Sequence, residues 1–308
     1  MDIDLITNIL YAMVRTGTPL LIVALGEMVC EKSGVLNLGQ EGMMLMGAVA
    51  GFITTLLTGS LLFGFIVAMM AGIIMSQLFA MIALGLNANQ VATGLALTIF
   101  GTGLSAFIGA SYVGKPIDGL NAIAIPVLSD IPVIGKMLFA QDLVVYLSFV
   151  LFLAIWWFFR SSRPGLVVKA VGENPHAANA IGLPVMRTRY LAVAFGGAMA
   201  GLAGGYLSLA YTPLWAENMS AGRGWIALAL VVFASWRAER VLLGAYLFGL
   251  ASILHLVAQG LGFAVSPNLM AMLPYAATVV VLVMLSRNQG RSKMFAPISL
   301  GKPFHPAG

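Results

Sequence analysis

The sequence predicts an all-α fold, a polytopic transmembrane helix bundle of eight to ten membrane segments with a short cytoplasmic helix. Three observations predict it. The chain of 308 residues is 60% hydrophobic and 9% charged, against about 25% charged in a soluble domain, and its mean hydropathy is +0.97. From Gly42 to Gly114 there is no Asp, Glu, Lys or Arg, and such a stretch must cross a bilayer several times, since one crossing takes about 20 apolar residues. No period-two alternation runs through it, and backbone polar groups in lipid must pair internally, so helices are favoured over a barrel.

The elements follow in order. The N-terminus, MDIDLITNIL, is acidic and lacks the basic start of a cleaved signal peptide. Arg15 interrupts the first apolar segment, so residues 3–14 are expected at the interface and 16–30 in the membrane. Spans are predicted over 36–57, 61–85, 91–112 and 142–159. The 113–141 connection balances Lys115 and Lys136 against Asp118 and Asp130 and holds Pro116, Pro126 and Pro132, which suits an external loop. Residues 160–190 carry Arg160, Arg163, Lys169, Arg187 and Arg189 against Glu173 alone, so the loop is cytoplasmic by the bias of Lys and Arg against translocation. Later spans are predicted over 190–212, 222–236, 241–260 and 268–286. Arg237, Glu239 and Arg240 put the turn between two of them inside, and Arg287, Arg291, Lys293 and Lys302 put the 287–308 tail inside as well. The formal charge of +5 therefore reflects topology and gives no sign of nucleic-acid binding. The whole of 1–308 reads as a single transmembrane domain.

The 160–190 loop encodes a helix with both ends marked. Asn174 suits the N-cap, Pro175 the first helical position, Gly182 the C-terminal stop, and Pro184 forbids continuation. So short a helix is unstable alone, and it is expected to press against something in the cytosol.

No GxxxxGK[ST] phosphate loop occurs, so the chain is not expected to hydrolyse ATP by that device. His176, His255 and His305 are far apart without HExxH, and the lone Cys30 excludes a disulfide framework, so no metal, cofactor or catalytic site is expected. Gly197, Gly201 and Gly205, and likewise Gly47 and Gly51, repeat at four-residue spacing, as close helix packing requires. Asn37, Gln40 and Glu41 stand where an apolar helix should begin. A carboxylate there must face protein or water, so Glu41 either lines a solute path or caps neighbouring helix amides. Asn87, Asn89 and Gln90 form an uncharged polar turn, read either as carboxamides for a neutral solute or as a plain turn with an N-cap. YTPLWAENMSAGRGWIALAL reads either as an external loop with an aromatic anchor or as a broken helix dipping inward.

LNLGQEGMMLMGA, VGENPHAANAIGLPV, and AGRGWIALALVVF followed by LLGAYLFG together resemble the permease subunits of bacterial ABC importers for branched-chain amino acids, ribose and nucleosides. The first and third motifs most resemble the nucleoside branch served by basic membrane lipoproteins. ASWRAER departs from the pattern, which has Gly before the Trp and Pro after the Arg. The resemblance implies that Gly172, Glu173, Asn174, Pro175, Ala177, Ala178 and Gly182 form a coupling helix docked on a separate cytosolic ABC ATPase that binds the ATP. It implies a second homologous permease as a heterodimer partner, an extracytoplasmic substrate-binding lipoprotein, and a place in the bacterial inner membrane. Asn37, Gln40, Glu41, Asn87, Asn89 and Gln90 are expected on the path of a nucleoside, with ribose or another simple sugar, or a branched-chain amino acid, as alternatives. An ion-coupled secondary transporter would show charges in midspan, and few are present.

Overall fold

The computed structural model describes residues 3–260 and 296–305, with Met272, Ala276 and Val283 between them. The expected span 268–286 therefore falls outside the described residues except for those three positions, and so do Arg287, Arg291 and Lys293. In chain order the helices begin with α1 (Ile3–Lys32), α2 (Gln40–Thr58), α3 (Leu61–Ala80, carried on by a π-helical turn to Gly85) and α4 (Gln90–Gly109, ending in a 3-10 turn to Tyr112). A two-stranded antiparallel hairpin, β1 (Ala122–Ala124) and β2 (Ala140–Asp142), encloses α5 (Ile134–Phe139). Then come α6 (Leu143–Ser161), α7 (Arg163–Glu173), α8 (Pro175–Ala180), α9 (Val185–Tyr206, with a π-helical turn to Tyr211), α10 (Arg223–Phe233) and α11 (Ala238–Gly260). Among the described residues six helices are long and apolar enough to cross a membrane: α1, α2, α3, α4, α6 and α9.

Side-chain oxygens open five of these helices. Ser60, Asn89, Asp142, Ser162 and Asn174 accept first-turn amides of α3, α4, α6, α7 and α8, which satisfies donors that have no partner within the helix. Gly59, in the left-handed region at φ 68°, ends α2.

Three sequence expectations change. First, Arg15 does not divide α1, which is continuous over 30 residues. The guanidinium is satisfied inside the protein, by the Ala210 carbonyl at 2.8 Å and by Asp142 at 3.6 Å. Second, α2 begins at Gln40 and not at 36, because residues 35–37 are non-helical and lie between turns. Third, 222–236 is no span: α10 has 11 residues, about 16 Å of helix rise, bounded by positive φ at Gly222 and at Ser235 and Trp236. The 113–141 connection holds β1 and α5 and runs into β2.

α1 and α9 form the core of the bundle, buried over 72% and 83% of their most apolar windows, whereas α3, α4 and α6 are buried over 33%, 28% and 28%. The outer helices expose Leu62, Ile66, Ile74, Ile99, Phe107, Val150 and Leu153, which suits a hydrocarbon solvent. The glycine stripe on α9 is a packing device. A Cβ on Gly197 would overlap the Gly72 carbonyl, one on Gly201 the Ala68 carbonyl, and Gly47 sits against the Gly201 backbone. Gly204 makes a second close approach, to the Met44 carbonyl. Without a hydrophobic force between helices in lipid, such contacts carry the association.

Gly204→Val is therefore expected to separate α9 from α2 and to destabilise the detergent-solubilised protein by at least ~1–3 kcal/mol. Gly103→Ala on α4, where an added Cβ meets nothing within 4 Å, is expected to be neutral. Thermal unfolding monitored by size-exclusion chromatography separates the two outcomes.

Candidate functional site

The segment 33–39 leaves α1 as non-helical chain and runs inward along α4. Leu36 is held at Gln90, the first residue of α4, by N–H to Oε1 at 2.9 Å. The Leu38 carbonyl accepts from Thr98 Oγ1 at 2.9 Å. Gln90 and Thr98 are eight residues apart on a candidate span, about 12 Å of helix rise, so α2 starts well inside the membrane. Non-helical backbone at that depth must find partners in the protein, and several are supplied by side chains. Glu27 accepts the Asn37 amide at 3.2 Å, Asn37 Oδ1 accepts the Gly39 amide at 2.9 Å, and Arg189 Nε donates to the Ser33 carbonyl at 3.2 Å. Cys30 Sγ donates to the Val35 carbonyl at 3.5 Å. Glu27 also accepts from Gln40 Nε2.

Glu41, in the first turn of α2, holds the start of α10. Its Oε1 accepts from Ser220 Oγ at 2.5 Å and the Gly222 amide at 2.8 Å, and its Oε2 accepts the Gly224 amide at 2.6 Å. A carboxylate there complements the positive end of the helix and satisfies amides that have no partner within it. The glycines are required: Gly222 has φ 79°, and a Cβ on Gly224 would meet the Glu41 backbone nitrogen at 2.5 Å. The AENMSAGRGW stretch is thus a turn leading into a half-helix. Trp215 does not anchor at an interface, for it is fully buried against Leu45, Ala48, Val49 and Phe52 of α2.

Asn89 caps α4 through the Ala92 amide at 3.0 Å, and Asn87 is exposed with φ 53°. The six residues expected on a solute path do not form one cluster. Asn37, Gln40, Glu41 and Gln90 are buried around the start of α2, and Asn87 and Asn89 lie at the surface turn. Gln40 Oε1 and Gln90 Nε2 are buried without a hydrogen-bond partner among the described residues.

Helix α8 has the caps its sequence predicts. Asn174 Oδ1 accepts the Ala177 amide at 3.0 Å, Gly182 has φ 82°, and the Gly182 and Leu183 amides return to Asn179 and Ala178. Glu173, Asn174, His176, Ala177, Asn179, Ala180 and Ile181 are exposed, while Pro175 and Ala178 are buried. Beneath α8, Ala178 packs with Val171, Val185 and Phe304. Phe304 belongs to the tail 296–305, which is tied down by Ser299 N and Oγ to the Gly172 carbonyl at 3.0 and 2.6 Å. Gly301 N donates to the Gly34 carbonyl at 3.1 Å, and Arg189 donates to the Lys302 carbonyl at 3.4 Å and to Ser299 Oγ at 3.3 Å. A Cβ on Gly172 would overlap the Lys32 carbonyl, so α7, the tail and the start of the 33–39 segment form one packed unit.

Sequence reasoning assigned no role to Glu27, Glu31, Asp142 or Tyr206, and it counted Arg189 as a loop charge. Glu31 accepts Trp236 Nε1 at 2.5 Å, which ties α1 to the turn after α10, and Tyr206 donates to Asp142 at 3.1 Å. The available signal was the pair Glu27 and Glu31, four residues apart in an apolar helix and hence on one face. Among the described residues no group of three metal-ligating side chains comes together.

Residues 9–285 match the family model described as branched-chain amino acid transport system / permease component. The "Putative glucose ABC transporter permease protein TsgC13" of Haloferax volcanii is 42% identical over 297 residues, 89% of this chain and 90% of its own. The guanosine ABC transporter permease protein NupQ of Bacillus subtilis is 34% identical over 300 residues, covering 92% and 93% of the two chains. The nucleoside ABC transporter permease protein NupC of Lactococcus lactis is 31% identical over 287 residues, covering 87% and 88%. The chain belongs to this permease family: it is a multi-pass membrane subunit of an ABC transporter, a transport component and not an enzyme.

Glu41→Ala should leave one hydroxyl and two amides without their acceptor, at about 1–3 kcal/mol for each buried group. Glu41→Gln keeps an acceptor oxygen and should lose less; equal losses in thermal stability would contradict the capping role. Phe304→Ala should cost about 3–5 kcal/mol locally, read as faster hydrogen exchange in α8 with α9 unaffected.

Proposed function

We propose that this permease forms the translocation pathway for a nucleoside, working with a cytosolic ABC ATPase, a second homologous permease and an extracytoplasmic binding lipoprotein. The observation that carries the nucleoside reading is similarity over nearly the whole chain to two permeases named for guanosine and nucleosides. The uncharged carboxamides of Asn37, Gln40 and Gln90, buried around the start of α2, suit a neutral solute rich in donors and acceptors. A simple sugar is the second reading, favoured by the 42% identity to a permease named for glucose. Eight to ten membrane segments would follow if α10, α11 and the 268–286 segment are added to the six long apolar helices.

In this reading α8 docks on the ATPase through its exposed face, with Glu173, Asn174 and Ala177 in the contact. Closure of the ATPase dimer on ATP displaces α8 and α7 together. Gly172 bears on Lys32 and, through the tail, on Gly34, so the movement reaches the 33–39 segment and the polar residues it positions. Access then alternates around the start of α2. Pro175 and Ala178 keep α8 seated, and Gly182 lets the chain turn back into α9.

Uptake of labelled inosine or uridine should depend on ATP in cells expressing the complete transporter. It should vanish with an ATPase catalytic mutant and resist excess glucose or ribose. Blockage by either sugar would favour the second reading, and uptake that survives the ATPase mutant would sink both. Ala177→Glu, at an exposed position, should abolish uptake while leaving insertion intact, and normal uptake would remove α8 from the coupling contact.

A further inference from the structure

A groove of about 780 Å³ opens between α6, α7 and α9, floored by Val29 of α1. Leu151, Ile155 and Phe158 line it from α6, Val168 from α7, and Leu191 and Phe195 from α9. Apart from Arg163 and Thr188, every lining side chain is aliphatic or aromatic. Thr188 Oγ1 is already bonded to the Pro184 carbonyl at 2.9 Å, which leaves Arg163 as the one charged group lining the space among the described residues.

The placement of that charge is informative. α6 ends at Ser161, and α9 begins at Val185, so Arg163 and Thr188 mark the cytoplasmic end of both helices. From Thr188 to Phe195 the groove follows α9 for seven residues, about 10 Å of rise, within one leaflet of a hydrocarbon core ~30 Å thick. The Arg163 side chain is exposed and has no hydrogen-bond or ion-pair partner among the described residues. It sits in a loop with five basic residues against one acid. The groove therefore offers a cation at the headgroup level and an apolar trough below it.

We propose that this groove binds an anionic phospholipid of the cytoplasmic leaflet, its acyl chains against α6 and α9 and its phosphate at Arg163. The charge order matches the amphiphile end for end, whereas a partner helix has no need of a cation at one end of an apolar seam. Basic pockets between membrane helices on the cytoplasmic side recognise such headgroups. The site touches α7 and the entrance to α9, so an occupying lipid braces the helix that carries α8.

The test reconstitutes the full-length chain in nanodiscs of equimolar phosphatidylglycerol and phosphatidylcholine with matched acyl chains, and follows retained lipid by native mass spectrometry after release. Wild type should retain phosphatidylglycerol preferentially, and Arg163→Gln should cut that preference about fivefold, the factor one basic side chain contributes beside an anionic surface. Leu191→Trp, which fills the groove at an exposed position, should reduce retention of both lipids. Equal retention of the two lipids by wild type, or an unchanged preference in Arg163→Gln, would overturn the proposal. A photoreactive residue at Leu191 that crosslinks the second permease, or residues 261–295 of this chain, in the assembled transporter would also overturn it by giving the groove another occupant.

Discussion

The structure depends on satisfying one stretch of non-helical backbone inside the membrane. Segment 33–39 joins α1 to α2 as non-helical chain packed inside the protein, and its amides and carbonyls must find partners there. Glu27, Asn37, Gln90, Thr98, Arg189 and the tail provide the partners. These come from α1, α4, α9, the segment itself and the far end of the chain, so the segment can form only when those elements are assembled around it. Glu27 and Arg189 would be costly in lipid; in the protein they are what makes the interruption of α1 and α2 tolerable.

The interruption has a purpose in the packing. By starting α2 deep in the membrane it brings Glu41 to the first turn of α10, a helix too short to span. Two sequence motifs that lie almost 180 residues apart, one around QEGMM and one around AGRGW, are thereby joined through a single carboxylate. The same region presents buried carboxamide atoms without hydrogen-bond partners among the described residues.

The close glycine contacts and the unit around α8 complement each other mechanically. α9 is locked against α2 and α3 by backbone approaches that leave no slack, whereas α8 rests on a small cluster with Phe304 and presents its other face outward.

By itself the sequence determined the membrane bundle and most of the span limits, because hydropathy and the placement of Lys and Arg act through the bilayer and require no knowledge of neighbours. The 61–85 and 91–112 spans and the caps of α8 were legible for the same reason: each depends on local chemistry, such as Asn174 and Gly182 within one short stretch. Tertiary structure alone decided what Arg15, Glu27, Glu31, Glu41, Asp142 and Arg189 do. Each satisfies a group on another element, and the cost of burying a charge fixes that it must find a partner without saying which one. The same limit explains why 36–57 was read as one helix and 222–236 as a span: apolar composition cannot distinguish a helix from a non-helical segment whose hydrogen bonds are supplied from elsewhere in the fold.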